Sequence, residues 1–256
     1  MCNSGHSFDK ARSGYVNLLT PSKMNSKLPG DPKEMVSARR RFLNRGYYAP
    51  LRDEVAKAAG EYTHAHPVYL DIGCGTGYYT SGIIDALNGA RSFGIDISKF
   101  AADASAKSEK RGFFAVASAY DLPFFESSFD IVTNIFSPMA SEECVRVMKR
   151  GAKLIYVVPA ERHLYSLKEL IYAEPYENPV RDIEYDGLRL VERRALAFDM
   201  HLSCAEDIEM LFSMTPYFWR SPEGALEKIR QKESLDTSAE FYILIYECSK
   251  DISSKG

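Results

Sequence analysis

An apolar run, Tyr69-Leu70-Asp71-Ile72, leads into three glycines on alternate positions, Gly73, Gly75 and Gly77. A helical run follows, with Tyr79, Ile83, Ile84 and Leu87. This order turns a buried strand sharply into a helix. Glycine lets the backbone take conformations closed to other residues, and lets it approach a ligand that a Cβ would push away. The spacing is Gly-x-Gly-x-Gly, not the Gly-x-Gly-x-x-Gly of dinucleotide sites. A second apolar run, Ser92-Phe93-Gly94-Ile95, ends at Asp96, where an acidic side chain can take ribose hydroxyls. Asp71 beside the turn either faces a ligand's positive group or fixes the turn through its own backbone hydrogen bonds.

The rest of the core alternates strand and helix. Strands are expected at 67–72, 92–96, 113–117, 129–135 and 153–158, with helices over 78–88, 99–111 and 140–148. Such alternation gives a doubly wound parallel sheet, with the ligand crevice at the carboxyl ends of its strands. The last third departs from it. Residues 163–173 and 205–214 read as helical, 175–186 as loop, and 188–200 and 241–248 as extended. Residues 1–30 are polar and loop-like. Asp31 then reads as a helix N-cap with Pro32 at the first helical position. Met35, Ala38, Phe42 and Leu43 form an apolar stripe, with Arg39, Arg40, Arg41 and Arg45 around it. A second helix runs from Pro50 to Gly60. We divide the chain into a basic extension, 1–60, and a core domain, 61–256.

Charge supports that division. Residues 1–60 hold 11 Lys/Arg and 5 Asp/Glu, while the whole chain of 256 residues has a net charge of −3. A basic end on an acidic body fits a local phosphate-binding face or a set of solvated helices, and not a protein that coats nucleic acid indiscriminately. Cys74, Cys144, Cys204 and Cys248 show no tight spacing, so no disulfide framework is expected, and a reducing cytoplasm is. No apolar stretch reaches the roughly 20 residues of a membrane helix.

Taken together, strand, Asp-x-Gly-x-Gly-x-Gly, helix, strand and acidic end resemble the cofactor site of Rossmann-like S-adenosylmethionine-dependent methyltransferases. That resemblance implies an α/β fold closed by an antiparallel hairpin. It places Gly73, Gly75, Thr76, Gly77 and Tyr78 at the methionine end of the cofactor, and Asp71 at its amino group or sulfonium. Asp96 would hold the ribose, Ile97 would cover the adenine, and Ser118 and Ala119 would supply adenine contacts. Many members of that class have aspartate where this chain has Ser118, so backbone groups of 118–119 would carry more of the recognition. Asn134-Ile135-Phe136-Ser137-Pro138 only loosely resembles the Asn/Asp-Pro-Pro-Tyr motif of enzymes that methylate exocyclic amines, and no such target is assigned.

Further strings narrow the resemblance. They are His6 to Leu19, Pro29-Gly30-Asp31, Met35 to Leu43 with Ala38-Arg39-Arg40, Gly46 to Arg52, Pro159 to Leu164 before Leu167-Lys168 and Leu170-Ile171-Tyr172, and Met214 to Arg220. Over nearly the whole chain these are similar to the 23S ribosomal RNA guanine-N1 methyltransferases of the RlmA/TlrB type. That family implies cofactor contacts at Tyr48 and His163, a 23S rRNA substrate and a homodimer. It also has an N-terminal zinc finger of three cysteines and a histidine. Cys2 and His6 match its last two ligands, but the Cys-x-x-Cys arm before them is not in this sequence. Two ligands cannot close a four-coordinate site, so no bound zinc is expected unless ligands exist upstream.

The expected reaction methylates N1 of a guanine. Asp31 and Asp9 are the acidic candidates for its base, with helix capping and turn formation as their other roles. Arg39, Arg40, Arg41 and Arg45 are candidate RNA phosphate contacts. Tyr15, Tyr48, Phe136 and Trp219 are candidate stacking surfaces for a base taken out of its stack, or members of the core. A small-molecule methyltransferase on the same core, and an S-adenosylmethionine-binding protein without rRNA activity, are the alternative readings.

Overall fold

The computed structural model describes residues 8–19, 29–180 and 184–250. Its elements run β1 (Val16–Asn17), α1 (Lys33–Asn44), α2 (Ala49–Glu61), β2 (Val68–Ile72), α3 (Tyr78–Ala86), β3 (Arg91–Asp96), α4 (Lys99–Ser108), β4 (Gly112–Val116), β5 (Phe129–Ile135), α5 (Ser141–Val147), β6 (Met148–Pro159), α6 (Tyr165–Ile171), β7 (Leu188–Leu202), α7 (Ala205–Ser213), α8 (Tyr217–Arg220), α9 (Ala225–Arg230) and β8 (Leu235–Cys248). The strands form one sheet in the order β1-β4-β3-β2-β5-β6-β8-β7. It is parallel from β1 through β6 and antiparallel at the β6–β8 and β8–β7 pairings.

β2 lies at the centre of the parallel part, where helices cover both faces and a strand must be apolar throughout. Tyr69, Leu70 and Ile72 are fully buried, which makes Asp71 a carboxylate in the middle of the core. On one face, α1 and α2 contribute Phe42, Leu43, Leu51, Val55, Ala58 and Ala59 to the same cluster as Ile83, Ile131, Ile155 and Phe241. On the other, Leu70, Ile95, Val132 and Leu154 pack with Phe129 and Met148.

The expected doubly wound sheet with an antiparallel end is present. Several details differ. β1 forms within the segment read as loop, because two residues with one parallel partner strand leave no periodicity to read; Leu18 N–H continues the pairing to Val116 O at 2.9 Å. β8 starts at Leu235 rather than Phe241. Its first half is polar in sequence, yet Thr237 and Ala239 point inward in register with Phe241, Ile243 and Ile245. α8 and α9 were not expected from the sequence. α1 is capped by Pro32, and Asp31 makes no side-chain cap. Asp31 is held elsewhere: its carbonyl accepts Ser98 Oγ at 2.7 Å and its carboxylate pairs with Arg39 at 2.5 Å. Charge pairing wins over capping one amide. Among the described residues no helix is long and apolar enough to cross a membrane. Cys2 and His6 lie outside the described residues.

Candidate active site

The first wall of the crevice is the turn after β2. Gly73 and Cys74 N–H both donate to Ile95 O, at 2.8 and 2.9 Å, so the turn is stitched to β3. Gly73, Gly75 and Gly77 have φ of 77, 55 and 78°, a region that favours glycine. They are not equivalent. A Cβ on Gly73 would sit 2.5 Å from Ser137 Cβ, and one on Gly77 would sit 3.1 Å from Ser105 Cα. At Gly75 the nearest atom would be Gly73 O, at 3.9 Å. Gly73 and Gly77 therefore permit protein packing, whereas the space beside Gly75 is left open. Thr76 is fixed behind it by Ser108 Oγ, which donates to Thr76 O at 3.0 Å. Tyr78 turns toward α2, with the Arg52 guanidinium 5.2 Å above its ring.

Two carboxylates brace this wall. Asp96 accepts Gly75 N–H at 3.0 Å and Ser98 N–H at 2.8 Å. Asp71 accepts the Thr80 hydroxyl at 2.5 Å and the Thr133 hydroxyl at 2.8 Å. Burial pushes each carboxyl up to about 6, against the pull of those hydrogen bonds. Asp71 thus ties β2 to α3 and β5 through two threonine hydroxyls, and not the turn through backbone hydrogen bonds of its own. Asp96 is oriented from behind by two amides.

Beyond Asp96 lies the expected adenine side. Ile97 is exposed at 38% on the surface next to Asp96, and Ala117 N–H bonds Asp96 O at 3.1 Å, which brings the 117–119 loop alongside. Ser118 Oγ accepts Tyr120 N–H at 3.2 Å, so its side chain shapes its own loop. Ala119 packs on the second core cluster.

The opposite wall is aromatic and centres on Phe241. Its ring centroid lies 5.6 Å from Tyr48, 5.4 Å from Phe136, 4.6 Å from His163 and 6.0 Å from Phe198. Tyr79 meets Phe136 edge-on at 6.3 Å. His163 Nδ1 accepts Glu240 N–H at 3.2 Å, which leaves the ring proton on Nε2. Burial and the nearby Lys168 charge push His163 down to about 3, so the ring is neutral. Burial holds Tyr48 far above the usual phenol range, so it remains a phenol. Phe136 has φ of 59°, a strained conformation for a bulky residue, and is 45% exposed. The fully buried Asn134 spends its amide on its own loop, donating to Pro138 O at 3.1 Å and accepting Ser137 N–H at 3.2 Å. That arrangement suits loop closure and not the holding of a target amine.

The remaining candidates separate. Asp9 is exposed in the N-terminal segment. Arg41 pairs with Glu206, and Arg45 pairs with Glu206 and Asp207, so both tie α1 to α7. Arg40 is exposed on the outer face of α1, whereas Arg39 is half-buried. Tyr15 packs against Leu19 and Val116 and against Cys74 and Phe114. Trp219 is 64% exposed beside a cavity of about 630 Å³ lined by Met35, Ala38, Met210 and Phe218. Sequence reasoning missed Phe241, Tyr79 and Phe198, since nothing in their neighbours separates them from core aromatics. It also missed Lys168, which is fully buried and donates to Tyr176 O and Asn178 Oδ1, both at 2.8 Å. Those bonds pin the 176–178 loop near His163.

The family model described as "Methyltransferase domain" matches residues 70–156, and that described as "RlmA, N-terminal" matches residues 1–27. A Bacillus subtilis (strain 168) protein, YxjB, provisionally named a 23S rRNA (guanine-N1-)-methyltransferase, is 30% identical over 251 residues, covering 94% of this chain and 88% of that one. This chain belongs to the 23S rRNA (guanine-N1)-methyltransferase family. The Streptomyces fradiae 23S rRNA (guanine(748)-N1)-methyltransferase is 35% identical over 175 residues, covering 66% of this chain and 61% of that protein, so less than two thirds of its length is matched. The fold is that of solved methyltransferases. A Haloferax volcanii methyltransferase solved with its Trm112 activator gives a TM-score of 0.54 at 18% identity, over 86% of this chain and all of that one. The YcgJ protein of Bacillus subtilis gives 0.52 at 14% identity, over 78% of this chain and 98% of that one. At these identities the likeness is one of fold alone.

Proposed function

We propose that this chain transfers a methyl group from S-adenosylmethionine to N1 of a guanine in a 23S rRNA hairpin. The observation that carries the reading is the open cradle at Gly75 beside an Asp96 carboxylate already oriented by two backbone amides. Family membership supports the choice of substrate. In this reading Asp96 takes the ribose hydroxyls, and Ile97 and the 118–119 backbone hold the adenine. Gly73, Gly75, Thr76, Gly77 and the buried Asp71 surround the methionine portion with Tyr48 and His163. When bound, the cofactor supplies a methyl group on a positively charged sulfur. The chain's own work is to orient, to exclude water and to manage the proton on guanine N1, a weak nucleophile. A neutral His163 with its proton on Nε2 serves as a hydrogen-bond donor rather than a base. Exposed Arg40 is a phosphate contact, and Phe136 and Trp219 offer faces to an unstacked base. The reading extends to a cytoplasmic homodimer.

The test is transfer of a radiolabelled methyl group to unmodified 23S rRNA, with nucleoside analysis. Label in 1-methylguanosine is expected. Label absent from RNA, with cofactor binding demonstrated by calorimetry, would reject this substrate.

A further inference from the structure

Arg39 faces the wrong way for a phosphate contact. Met35 and Val36 stand four and three residues before it, Phe42 and Leu43 three and four residues after it, and all four are buried. Helical spacing puts Arg39 at the centre of that inward face. An inward guanidinium needs acceptors, and it finds two: NH1 donates to Asp31 Oδ2 at 2.5 Å and NH2 to Met214 O at 3.2 Å. Five N–H donors exist, so three remain without partners among the described residues, as does Asp31 Oδ1.

The pair lies at the crevice. Asp31 O accepts Ser98 Oγ at 2.7 Å, Ser98 N–H bonds Asp96 Oδ1 at 2.8 Å, and Asp96 Oδ2 accepts Gly75 N–H at 3.0 Å. A continuous hydrogen-bonded chain therefore runs from the glycine turn to Arg39. The turn is seated closely: a Cβ on Gly30 would sit 2.8 Å from both Ile97 Cγ2 and Ser98 N. On the other side, the Tyr79 hydroxyl is buried without a hydrogen-bond partner among the described residues, within electrostatic reach of Arg39 and Tyr48. The pair thus stands between the expected ribose position and the aromatic wall, where Tyr79 meets Phe136.

An adjacent carboxylate and guanidinium present an acceptor beside donors. The edge of guanine that reacts presents a donor, N1–H, beside an acceptor, O6. Adenine presents the reverse. Resting on the guanine-N1 reading above, we propose that Asp31 and Arg39 together read and activate the N1–O6 edge of the target guanine. The N1 proton passes to Asp31 Oδ1. The N1 electron pair forms the bond to the methyl carbon as the carbon–sulfur bond breaks, its pair staying on sulfur. Arg39 holds O6, where charge gathers once the proton leaves, and Asp31 later returns the proton to water. A donor aimed at developing charge is worth about 10²–10³ in rate, and a positioned base about 10²–10⁴.

The experiment uses the full chain, an unmodified 23S rRNA transcript and S-adenosylmethionine, with transfer rates measured across pH. S-adenosylhomocysteine affinity is measured in parallel by calorimetry. Asp31→Asn is expected to slow transfer about 10²–10⁴-fold at neutral pH, with a rate that then climbs with pH toward the ionisation of guanine itself. Arg39→Gln should cost about 10²–10³-fold, with part regained in Arg39→Lys. S-adenosylhomocysteine should bind every variant within about threefold of wild type, well short of the tenfold that 1.4 kcal/mol represents. An Asp31→Asn enzyme with the wild-type pH profile, or an Arg39→Gln enzyme whose cofactor affinity falls as far as its rate, would overturn the proposal alone. Should Asp31→Asn fail to fold, Asp31→Glu is the second variant: the wild-type pH profile at a lowered rate supports the proposal, and an undiminished rate overturns it. A wild-type protein that binds S-adenosylhomocysteine but labels no RNA would overturn the rRNA reading, and the proposal with it.

Discussion

The two walls of the crevice are built on opposite physical terms. The glycine-turn wall is polar: backbone amides and threonine hydroxyls converge on Asp71 and Asp96, and burial raises both carboxyls toward neutrality. The aromatic wall is apolar: Tyr48, Phe136, His163 and Phe198 gather on Phe241, and burial drives His163 toward its neutral form. One wall stores negative charge at a cost, and the other holds a neutral imidazole beside the buried Lys168. In the proposed reading a positively charged cofactor relieves the charge cost of the first wall. The difference also divides labour. The polar wall should govern cofactor affinity, and the aromatic wall should govern stability and the alignment of what it holds.

Breaking the division most severely should be Phe241→Ala. Truncating a buried phenylalanine costs about 3–5 kcal/mol, and here it also removes the ring on which Tyr48 and His163 rest. Urea unfolding should show the full loss, with S-adenosylhomocysteine affinity falling as a consequence. Unchanged stability would show that Phe241 is not the hub.

Asp96→Ala comes next and should do the converse. Two hydrogen bonds to a charged acceptor, each about 1.5–3 kcal/mol, amount to a loss of about 100-fold or more in S-adenosylhomocysteine affinity by calorimetry. The thermal midpoint of the free protein should fall only modestly, because removing a desolvated carboxylate offsets part of the cost of leaving the Gly75 and Ser98 amides without their acceptor. A large drop in the midpoint with affinity intact would reverse the assigned roles.

The pH dependence sharpens the comparison, because the two walls pull in opposite directions. Asp71 rises from 3.8 to about 6 on folding, so between those values the folded chain keeps a proton the unfolded chain has lost. Its contribution to stability is present at low pH and fades as pH rises through that window. His163 falls from 6.5 to about 3, so below about 6.5 the unfolded chain gains a proton that the folded chain refuses. Its contribution fades as pH falls. Each slope is at most about 1.4 kcal/mol per pH unit. Asp71→Asn should therefore make acid loss of stability steeper, and His163→Leu should make it shallower, in urea midpoints measured from pH 3.5 to about 7.5. Profiles indifferent to both substitutions would refute the assignment of opposite charge costs.

The smallest effect is on Arg40, which lies on neither wall. Arg40→Ala should weaken rRNA binding modestly and reduce its salt slope by about 1, with cofactor affinity unchanged. An intact slope would remove Arg40 from the RNA face.

The glycine turn and Asp96 of the polar wall were legible in the sequence, since they lie close along the chain, whereas the Thr133 hydroxyl on Asp71 comes from distant β5. Gly73, Gly75, Gly77 and Asp96 fall within two strand–turn units, and the turn itself demands those residue types. What the letters did not give was their inequality, with Gly73 and Gly77 serving protein packing and only Gly75 left open. Of the aromatic wall, Tyr48 and His163 were named through family resemblance and Tyr48 and Phe136 as stacking candidates, whereas Phe198 and Phe241 were not singled out. Phe241 looks like any core phenylalanine, and no local pattern says which aromatics from the N-terminus of α2, the loop after β5, β7 and β8 will gather on one ring. The same holds for Arg39, which reads as one of four surface cations until the packing of α1 shows it pointing inward.

By itself, then, the sequence determined the parallel sheet, the glycine turn proposed to receive the cofactor and the carboxylate beyond it, because strand alternation and glycine spacing act over a few residues. Tertiary structure alone decided that Phe241 would join Tyr48 to His163, and that Asp31 would leave the helix cap for Arg39. Those outcomes depend on which buried surfaces meet and on which charges find partners once water is excluded, and such contacts between distant segments have no local signature.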